Sequence, residues 1–118
     1  MFGLFNSAPK VSVDEVKAGM AAGDIVLVDV RDTVELRGSG KAKGAINVPL
    51  VALQMRANPS SPECLPEFKQ GKRIVLYCAS GARSSGAARM LRQFGHETVD
   101  NLGGLYDWTH GGGEIEHV

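Results

Sequence analysis

Residues 73–84 read RIVLYCASGARS, and this stretch combines three elements that together favour one kind of fold. The apolar run RIVLY predicts a strand buried on both faces, which is typical of a parallel sheet. Cys78 follows this run, and small residues then lead to Arg83. Residues 84–94 predict an amphipathic helix that ends at Gly95. A strand, a short loop and a helix in this order favour an α/β domain.

The rest of the chain repeats the alternation of strands and helices. IVLVDV at 25–30 predicts a second strand buried on both faces. Ser12 and Glu15 have the spacing of a capping box and predict a helix over 13–21. The other predicted elements are a helical turn at 34–37, a brief strand at 45–48, a weak helix at 50–57, a short strand at 98–100, and a last helical turn that opens at Gly103-Gly104 and ends with Trp108 in the core.

Composition and charge exclude several classes of protein. The chain has 118 residues, 43% of them hydrophobic, which predicts one globular domain over 10–110, after a loose leader at 1–9 and before a tail at 111–118. Thirteen basic and 13 acidic residues balance, so no nucleic-acid or membrane partner is expected. Two cysteines are too few for a disulfide-stapled secreted domain, which favours a cytoplasmic protein with reduced thiols. The histidines lack metal-ligand spacing, and neither a metal nor a cofactor is expected.

The loop after Cys78 is suited to holding a negative charge. Four residues separate Cys78 from Arg83, and with Gly81 among them the backbone can turn several N–H groups inward. The start of the following helix and the cation of Arg83 add positive potential. These features favour a thiolate at Cys78, or an anionic group bound to its sulfur. The alternative is a buried core cysteine, which leaves the glycine and the arginine unexplained.

A second polar cluster follows the strand at 25–30. Ligands of parallel sheets bind at the carboxyl ends of the strands, so this cluster and the cysteine loop are predicted to share one edge and one pocket. Arg31 either attracts an anionic substrate there or forms an ion pair with Asp29, Asp32 or Glu35. Asp29 is predicted to accept hydrogen bonds from loop N–H groups. Glu35 is predicted to be structural, with Arg31 as its partner.

Three further side chains have two interpretations each. Ser84 either bonds the sulfur of Cys78 or caps the helix, and the cap is favoured. Ser80 either donates to a group on the sulfur or points to solvent. Cys64 lies in a loop rich in proline and serine and is predicted to be exposed and incidental, with a role as a resolving thiol as the alternative.

Four segments resemble the rhodanese-like sulfurtransferases of single-domain type. They are LVDVRDTVEL at 27–36, GAINVP at 44–49, CASGARS at 78–84 and NLGGLYDW at 101–108. Each segment is weak alone, but together they occur in the order of the family and cover nearly the whole chain. The sequence departs from the common pattern at LRGSGKAK, where Lys41 stands in place of a frequent histidine.

The resemblance implies a doubly wound α/β domain with a central five-stranded parallel sheet flanked by helices. It also implies that Cys78 takes sulfur from a small anionic donor such as thiosulfate and holds it as a persulfide. The sulfur then passes to cyanide or a thiol, including a thiol of a partner protein. The loop N–H groups would cradle the sulfur over a segment formed by Ala79, Ser80, Gly81, Ala82, Arg83 and Ser84.

Two other functions are compatible with such a loop. A persulfide carrier or binding module would use the same residues without independent turnover. A small phosphatase of related fold would also use a cysteine, a backbone cradle and an arginine. Its loop has five residues between the cysteine and the arginine, whereas this chain has four, which favours a single sulfur atom over a phosphate.

Overall fold

The computed structural model describes residues 11–118, so the predicted leader at 1–9 lies outside the described residues. The first helix, α1 (Val13–Ala22), begins with the predicted capping box. The Ser12 hydroxyl accepts from the backbone N–H of Glu15 at 3.1 Å, and the Glu15 carboxylate accepts from the N–H of Ser12 at 3.3 Å. The chain leaves α1 through Gly23, which has a φ of 81°. The predicted capping box and helix are confirmed.

Strands and helices then alternate as the sequence predicts. The elements are β1 (Ile25–Asp29), α2 (Thr33–Ser39), β2 (Lys41–Ala42), β3 (Ile46–Asn47), α3 (Leu53–Ala57), β4 (Arg73–Cys78), α4 (Ala82–Gln93), β5 (Val99–Gly104), α5 (Leu105–His110) and β6 (Ile115–Glu116), with short 3-10 helices at Leu50–Ala52 and Pro66–Phe68. Within residues 11–118, none of these helices is both long enough and apolar enough to cross a membrane.

The main sheet is parallel and has the strand order β3-β1-β4-β5. This confirms the α/β class, but the described residues contribute four strands to it and not the five that the resemblance implies. β2 and β6 form a separate two-stranded antiparallel ribbon, with Lys41 opposite Glu116. Gly40 precedes β2 with a φ of 76°, and a Cβ there would lie 2.6 Å from Ile115 Cγ2.

Side chains of β4 alternate between two hydrophobic cores, one on each face of the sheet. Ile74, Leu76 and Cys78 face a core that is completed by α3 and α4. Val75 and Tyr77 face a second core that is completed by α1 and α5. Helices therefore cover both faces, and the alternation places the Cys78 side chain on the face covered by α4.

Residues 111–118 are packed onto the domain. β6 lies in the two-stranded ribbon with β2, and the Trp108 indole donates to the Glu114 carbonyl at 2.6 Å. Trp108 is buried in the second core, as its sequence position predicts. The ribbon holds the turn after α2 in place, and α2 carries Glu35.

Candidate active site

Cys78 is the last residue of β4 and is fully buried. The loop after it is shorter than the sequence predicts, because α4 begins at Ala82 and not near Ser84. Gly81 precedes the helix with a φ of 103°, a conformation that favours glycine, and its carbonyl accepts from the N–H of Ser85 at 3.0 Å. The favoured interpretation of Ser84 as the helix cap is therefore wrong. Ser84 lies inside the first turn and is fully buried.

Three hydrogen-bond donors converge on the sulfur of Cys78. The N–H of Gly81 lies 3.0 Å from Sγ, the N–H of Ser84 lies 3.4 Å away, and the Ser84 hydroxyl lies 3.3 Å away. Burial raises the pKa of the Cys78 thiol, but the hydrogen bonds from Ser84, Gly81 and the backbone of Ser80 outweigh it and leave the pKa lowered. The arrangement therefore stabilises a negative charge on this sulfur.

Access to Cys78 depends on the loop that covers it. Reactive cysteines are usually partly exposed, whereas Cys78 is 0% exposed. The covering residues Ala79, Ser80 and Ala82 are exposed and have small side chains. The sulfur is therefore closed to solvent in this conformation.

Arg83 forms a two-pronged ion pair with Glu35 of α2. Nη1 lies 2.7 Å from Oε2, and Nη2 lies 2.9 Å from Oε1. The hydrogen bonds from Arg83 lower the pKa of Glu35 to about 2, and the carboxylate raises the pKa of Arg83 in turn. The sequence predicted Arg31 as the partner of Glu35, and this is wrong. Arg83 takes that place and ties the first turn of α4 to α2.

Arg31 is committed to a different set of contacts. Its Nη2 lies 2.7 Å from Asp29 Oδ2 and 2.8 Å from the Gly40 carbonyl, and its Nη1 lies 2.8 Å from the Ser39 hydroxyl. Asp29 Oδ1 also accepts from the backbone N–H of Arg31 at 2.9 Å. The guanidinium lies 5.8 Å from the centre of the Tyr77 ring, on the opposite face of the sheet from Cys78.

The polar cluster after β1 and the cysteine loop after β4 thus lie at the same edge of the sheet, but only some of their side chains are in contact. Asp29 pairs in register with Tyr77, which confirms that β1 and β4 end side by side. Glu35 and Arg83 join across this edge, whereas the contacts of Arg31 do not include Cys78. Its role in attracting a substrate stays a prediction.

Two residues of β5, Asn101 and Gly104, belong to the site although neither is among the predicted site residues. Asn101 accepts from the Ser84 hydroxyl at 2.7 Å and donates to the Gly81 carbonyl at 3.1 Å. Gly104 lies against the loop so closely that a Cβ there would overlap the carbonyl oxygen of Ala79. The paired glycines of the segment NLGG at 101–104 indicate a close approach of another backbone, but the sequence does not show which segment approaches them.

Residues 12–110 match the family of rhodanese-like domains. The chain belongs to the rhodanese-like family. A mouse relative named thiosulfate sulfurtransferase/rhodanese-like domain-containing protein 3 is 33% identical, over 89% of this chain and 71% of its own length. Human thiosulfate:glutathione sulfurtransferase is 30% identical, over 86% of this chain and 93% of its own length.

Solved structures have the same fold. One from Rhodopseudomonas palustris, described as a protein of unknown function and possible tyrosine phosphatase, is 33% identical and has a TM-score of 0.80. The match covers 94% of this chain and 86% of that one. The resemblance drawn from four sequence segments is therefore confirmed at the level of the family.

Cys64, the second cysteine of this rhodanese-like domain, differs from its prediction. It is 8% exposed and packs in the core that also contains Leu53 and Ala57 of α3. The prediction of an exposed thiol is wrong. Burial also raises the pKa of Cys64, which disfavours a resolving thiolate.

Other parts of the rhodanese-like domain lack the features of a second centre. A cavity of about 420 Å³ lies at the opposite edge of the sheet, near the start of β4 at Ile74 and before β5 at His96, and it does not include Cys78. Over residues 11–118, no group of three His, Cys, Asp or Glu side chains is placed to hold a metal ion.

The Arg83–Glu35 pair makes the stability of the domain dependent on acid pH. We expect Glu35→Gln to lower the free energy of unfolding by about 1 kcal/mol or less near neutral pH, because both side chains are about one-third exposed. Glutamine keeps the capping hydrogen bond to the N–H of Asp32 but removes the charge. The ordinary pKa of 4.5 falls to about 2 in the folded chain, so the contribution is complete above about pH 4.5 and disappears toward pH 2.

Thermal unfolding of both proteins from neutral pH down to about pH 2 tests this prediction. The difference between wild type and Glu35→Gln should shrink as the pH falls and vanish at the acid end. A difference that stays constant over this range would show that the charge of Glu35 does not contribute.

Proposed function

We propose that this rhodanese-like chain transfers sulfane sulfur from a small anionic donor such as thiosulfate to cyanide or a thiol, through a persulfide on Cys78. The observation that carries the proposal is the convergence of Gly81 N–H, Ser84 N–H and Ser84 hydroxyl on one buried sulfur. A core cysteine has no need of three donors. A sulfur that gains and loses charge in each cycle does need them.

In the first step, the Cys78 thiolate attacks the outer sulfur of thiosulfate. A bond forms between Sγ and that sulfur, and the sulfur–sulfur bond of thiosulfate breaks. Its electron pair leaves with sulfite, so the total charge is unchanged and the transferred sulfur remains on Cys78 as an anionic persulfide. This is covalent catalysis by an activated cysteine.

In the second step, the nucleophilic acceptor attacks the outer sulfur of the persulfide. Cyanide becomes thiocyanate, or a thiolate becomes a persulfide, and the electron pair of the broken bond returns to Cys78 as a thiolate. The acceptor thiol can belong to a small molecule or to a partner protein. The lowered pKa of Cys78 makes it a good leaving group in this step.

The loop supplies the surroundings of the transferred sulfur in this proposal. Backbone N–H groups between Ala79 and Ser84 would hold it, and the side chains of the loop are small. Glu35 supports the loop through Arg83, whereas Asp29 and Arg31 hold the end of α2 at Ser39 and Gly40. The four residues between Cys78 and Arg83, and the engagement of Arg83 by Glu35, weigh against a phosphatase, which needs its arginine for phosphate.

Mass spectrometry tests the persulfide directly. The purified protein is treated with thiosulfate without reductant, alkylated and digested with trypsin. We expect a gain of one sulfur atom, about 32 Da, on the peptide of residues 74–83, which contains Cys78. The peptide of residues 57–69 contains Cys64 and serves as the internal control.

Cyanide should remove the added sulfur from the first peptide and yield thiocyanate. Sulfur on both peptides, or on that of Cys64 alone, would contradict the assignment to Cys78. Stable loading without turnover would indicate a persulfide carrier. Hydrolysis of an aryl phosphate that depends on Cys78, without sulfur loading, would indicate a phosphatase.

A further inference from the structure

The Ser84 hydroxyl has more acceptors than it can serve. Asn101 Oδ1 lies 2.7 Å from Ser84 Oγ, the Gly81 carbonyl 3.2 Å, Cys78 Sγ 3.3 Å and the Gly103 carbonyl 3.4 Å. A hydroxyl has one proton to donate, so these four atoms compete for it. The shortest distance is that to Asn101, which makes it the strongest competitor of the sulfur.

The orientation of the Asn101 amide is fixed by two backbone groups of opposite polarity. Its Nδ2 donates to the Gly81 carbonyl at 3.1 Å, and its Oδ1 accepts from the N–H of Gly103 at 3.0 Å. A flipped amide would place two donors together at Gly103 and two acceptors together at Gly81. The atom that faces Ser84 is therefore an acceptor.

We propose that Asn101 is a positioning residue. It accepts the hydrogen bond of the Ser84 hydroxyl while Cys78 is uncharged, and it loses this hydrogen bond to the sulfur when negative charge develops there. The hydroxyl of Ser84 then turns from Asn101 to Sγ as the thiolate forms. The hydroxyl turns back to Asn101 when Sγ forms its bond to the transferred sulfur. It turns to Sγ again when this bond breaks and the Cys78 thiolate is restored. The catalytic use of this exchange rests on the proposed sulfur transfer, but the exchange itself is a property of the free thiol.

The free thiol should respond to the loss of Asn101 in a way that a merely structural role does not predict. The hydrogen bond from Ser84 to Asn101 stabilises the thiol form only, because in the thiolate form the Ser84 hydroxyl donates to Sγ instead. Removal of the acceptor therefore favours the thiolate. We expect Asn101→Ala to lower the pKa of Cys78 by about one, which corresponds to about tenfold more thiolate below the pKa, since one hydrogen bond is at stake.

The charged groups around Cys78 stay the same in this variant. They are Arg83 of α4, Glu35 of α2 that pairs with it, and Asp107 of α5, which accepts from the N–H of Gly104 at 2.7 Å. Asp29 and Arg31 form a closed pair after β1, and Asp100 of β5 pairs with Arg73 at 2.7 Å. Asn101 is uncharged, so the change in the pKa reports the hydrogen bond and not a lost charge.

The test is a double-mutant cycle on the thiol pKa, measured from the ultraviolet absorbance of the thiolate against pH. A Cys64→Ala background leaves Cys78 as the only cysteine. Asn101→Ala should lower the pKa in this background and leave it unchanged when Ser84→Ala is also present. Asp100→Asn, a change at the neighbouring residue of β5, is the matched control and should not alter the pKa.

A rise of the pKa in Asn101→Ala, or an equal change with and without Ser84, would overturn the proposal and leave Asn101 a support of the loop only. If Asn101→Ala does not fold, Asn101→Leu decides: it removes the acceptor without adding a charge, so the pKa should fall, and an unchanged or higher pKa would overturn the proposal. No sulfur donor is needed for these measurements. A failure of sulfur loading is therefore distinguishable from a failure of this inference.

Discussion

Replacement of Cys78 by serine is expected to lower sulfur transfer from thiosulfate to cyanide by at least about a thousandfold. A serine hydroxyl stays protonated at neutral pH, and its oxygen cannot form the persulfide that the proposed reaction requires. The fold should persist, because the Gly81 and Ser84 donors that surround Sγ can also bond a serine oxygen. The measurements are thiocyanate formation and the midpoint of thermal unfolding.

The matched control is Cys64→Ala, which removes the other thiol. Cys64 is buried beside α3 and has no hydrogen bond to the cysteine loop, so this variant should keep the rate of transfer and lose some stability. Transfer that survives Cys78→Ser and disappears in Cys64→Ala would refute the central role of Cys78. Loss of activity together with unfolding of Cys78→Ser would be resolved by a Cys78→Ala variant, which introduces no hydroxyl into the site.

The features that the sequence predicted correctly are those set by local patterns. Continuous apolar runs predicted the two central strands, because a strand covered by helices on both faces buries successive side chains on both sides. Ser12 and Glu15 predicted the start of α1, because their hydrogen bonds lie within one turn. The glycine of the loop predicted a backbone that can turn N–H groups inward, and the Gly81 N–H lies 3.0 Å from the sulfur of Cys78.

The features that the sequence did not predict depend on segments that meet only in the folded chain. Glu35 and Arg83 are 48 positions apart, whereas Arg31 is only four positions from Glu35 and was therefore predicted as its partner. In the fold, Asp29 and the Gly40 carbonyl accept the hydrogen bonds of Arg31 instead. β2 and β6 have two residues each, too few for any periodicity. Asn101 enters the site because β5 lies beside β4, and no local pattern announces that contact.

The start of α4 shows why a good local interpretation can fail. Serine is a preferred helix cap, and Ser84 precedes an amphipathic run. The loop instead turns at Gly81, where a positive φ is possible, and the helix begins at once. What fixes this conformation is distant in sequence: Gly103 and Gly104 of β5 leave space for the backbone of the loop.

Replacement of Gly104 by alanine is therefore the second change with a large expected effect. The new Cβ would overlap the Ala79 carbonyl oxygen and lie 3.0 Å from Ala79 C and 3.2 Å from Ser80 Cα, all of them backbone atoms. Since neither backbone can give way by a side-chain rotation, the loop must shift. We expect sulfur transfer to fall by about 100-fold, as is typical of a displacement of about 1 Å at a reacting group. Overpacking should also cost about 1–3 kcal/mol of stability.

Gly38→Ala is the matched control for the change from glycine to alanine. Gly38 lies inside α2, and a Cβ there would meet no atom of residues 11–118 within 4 Å apart from its own helix, so the variant should keep the rate of transfer and gain about 0.5–1 kcal/mol of stability. The pKa of Cys78 separates a displaced loop from a merely less stable fold. It should rise in Gly104→Ala, because the hydrogen bonds from Gly81 and Ser84 lower it in the wild type and a shifted loop weakens them. An unchanged pKa with full activity would mean that the backbone of β5 moves and the loop does not. The paired glycines would then not determine the conformation of the loop.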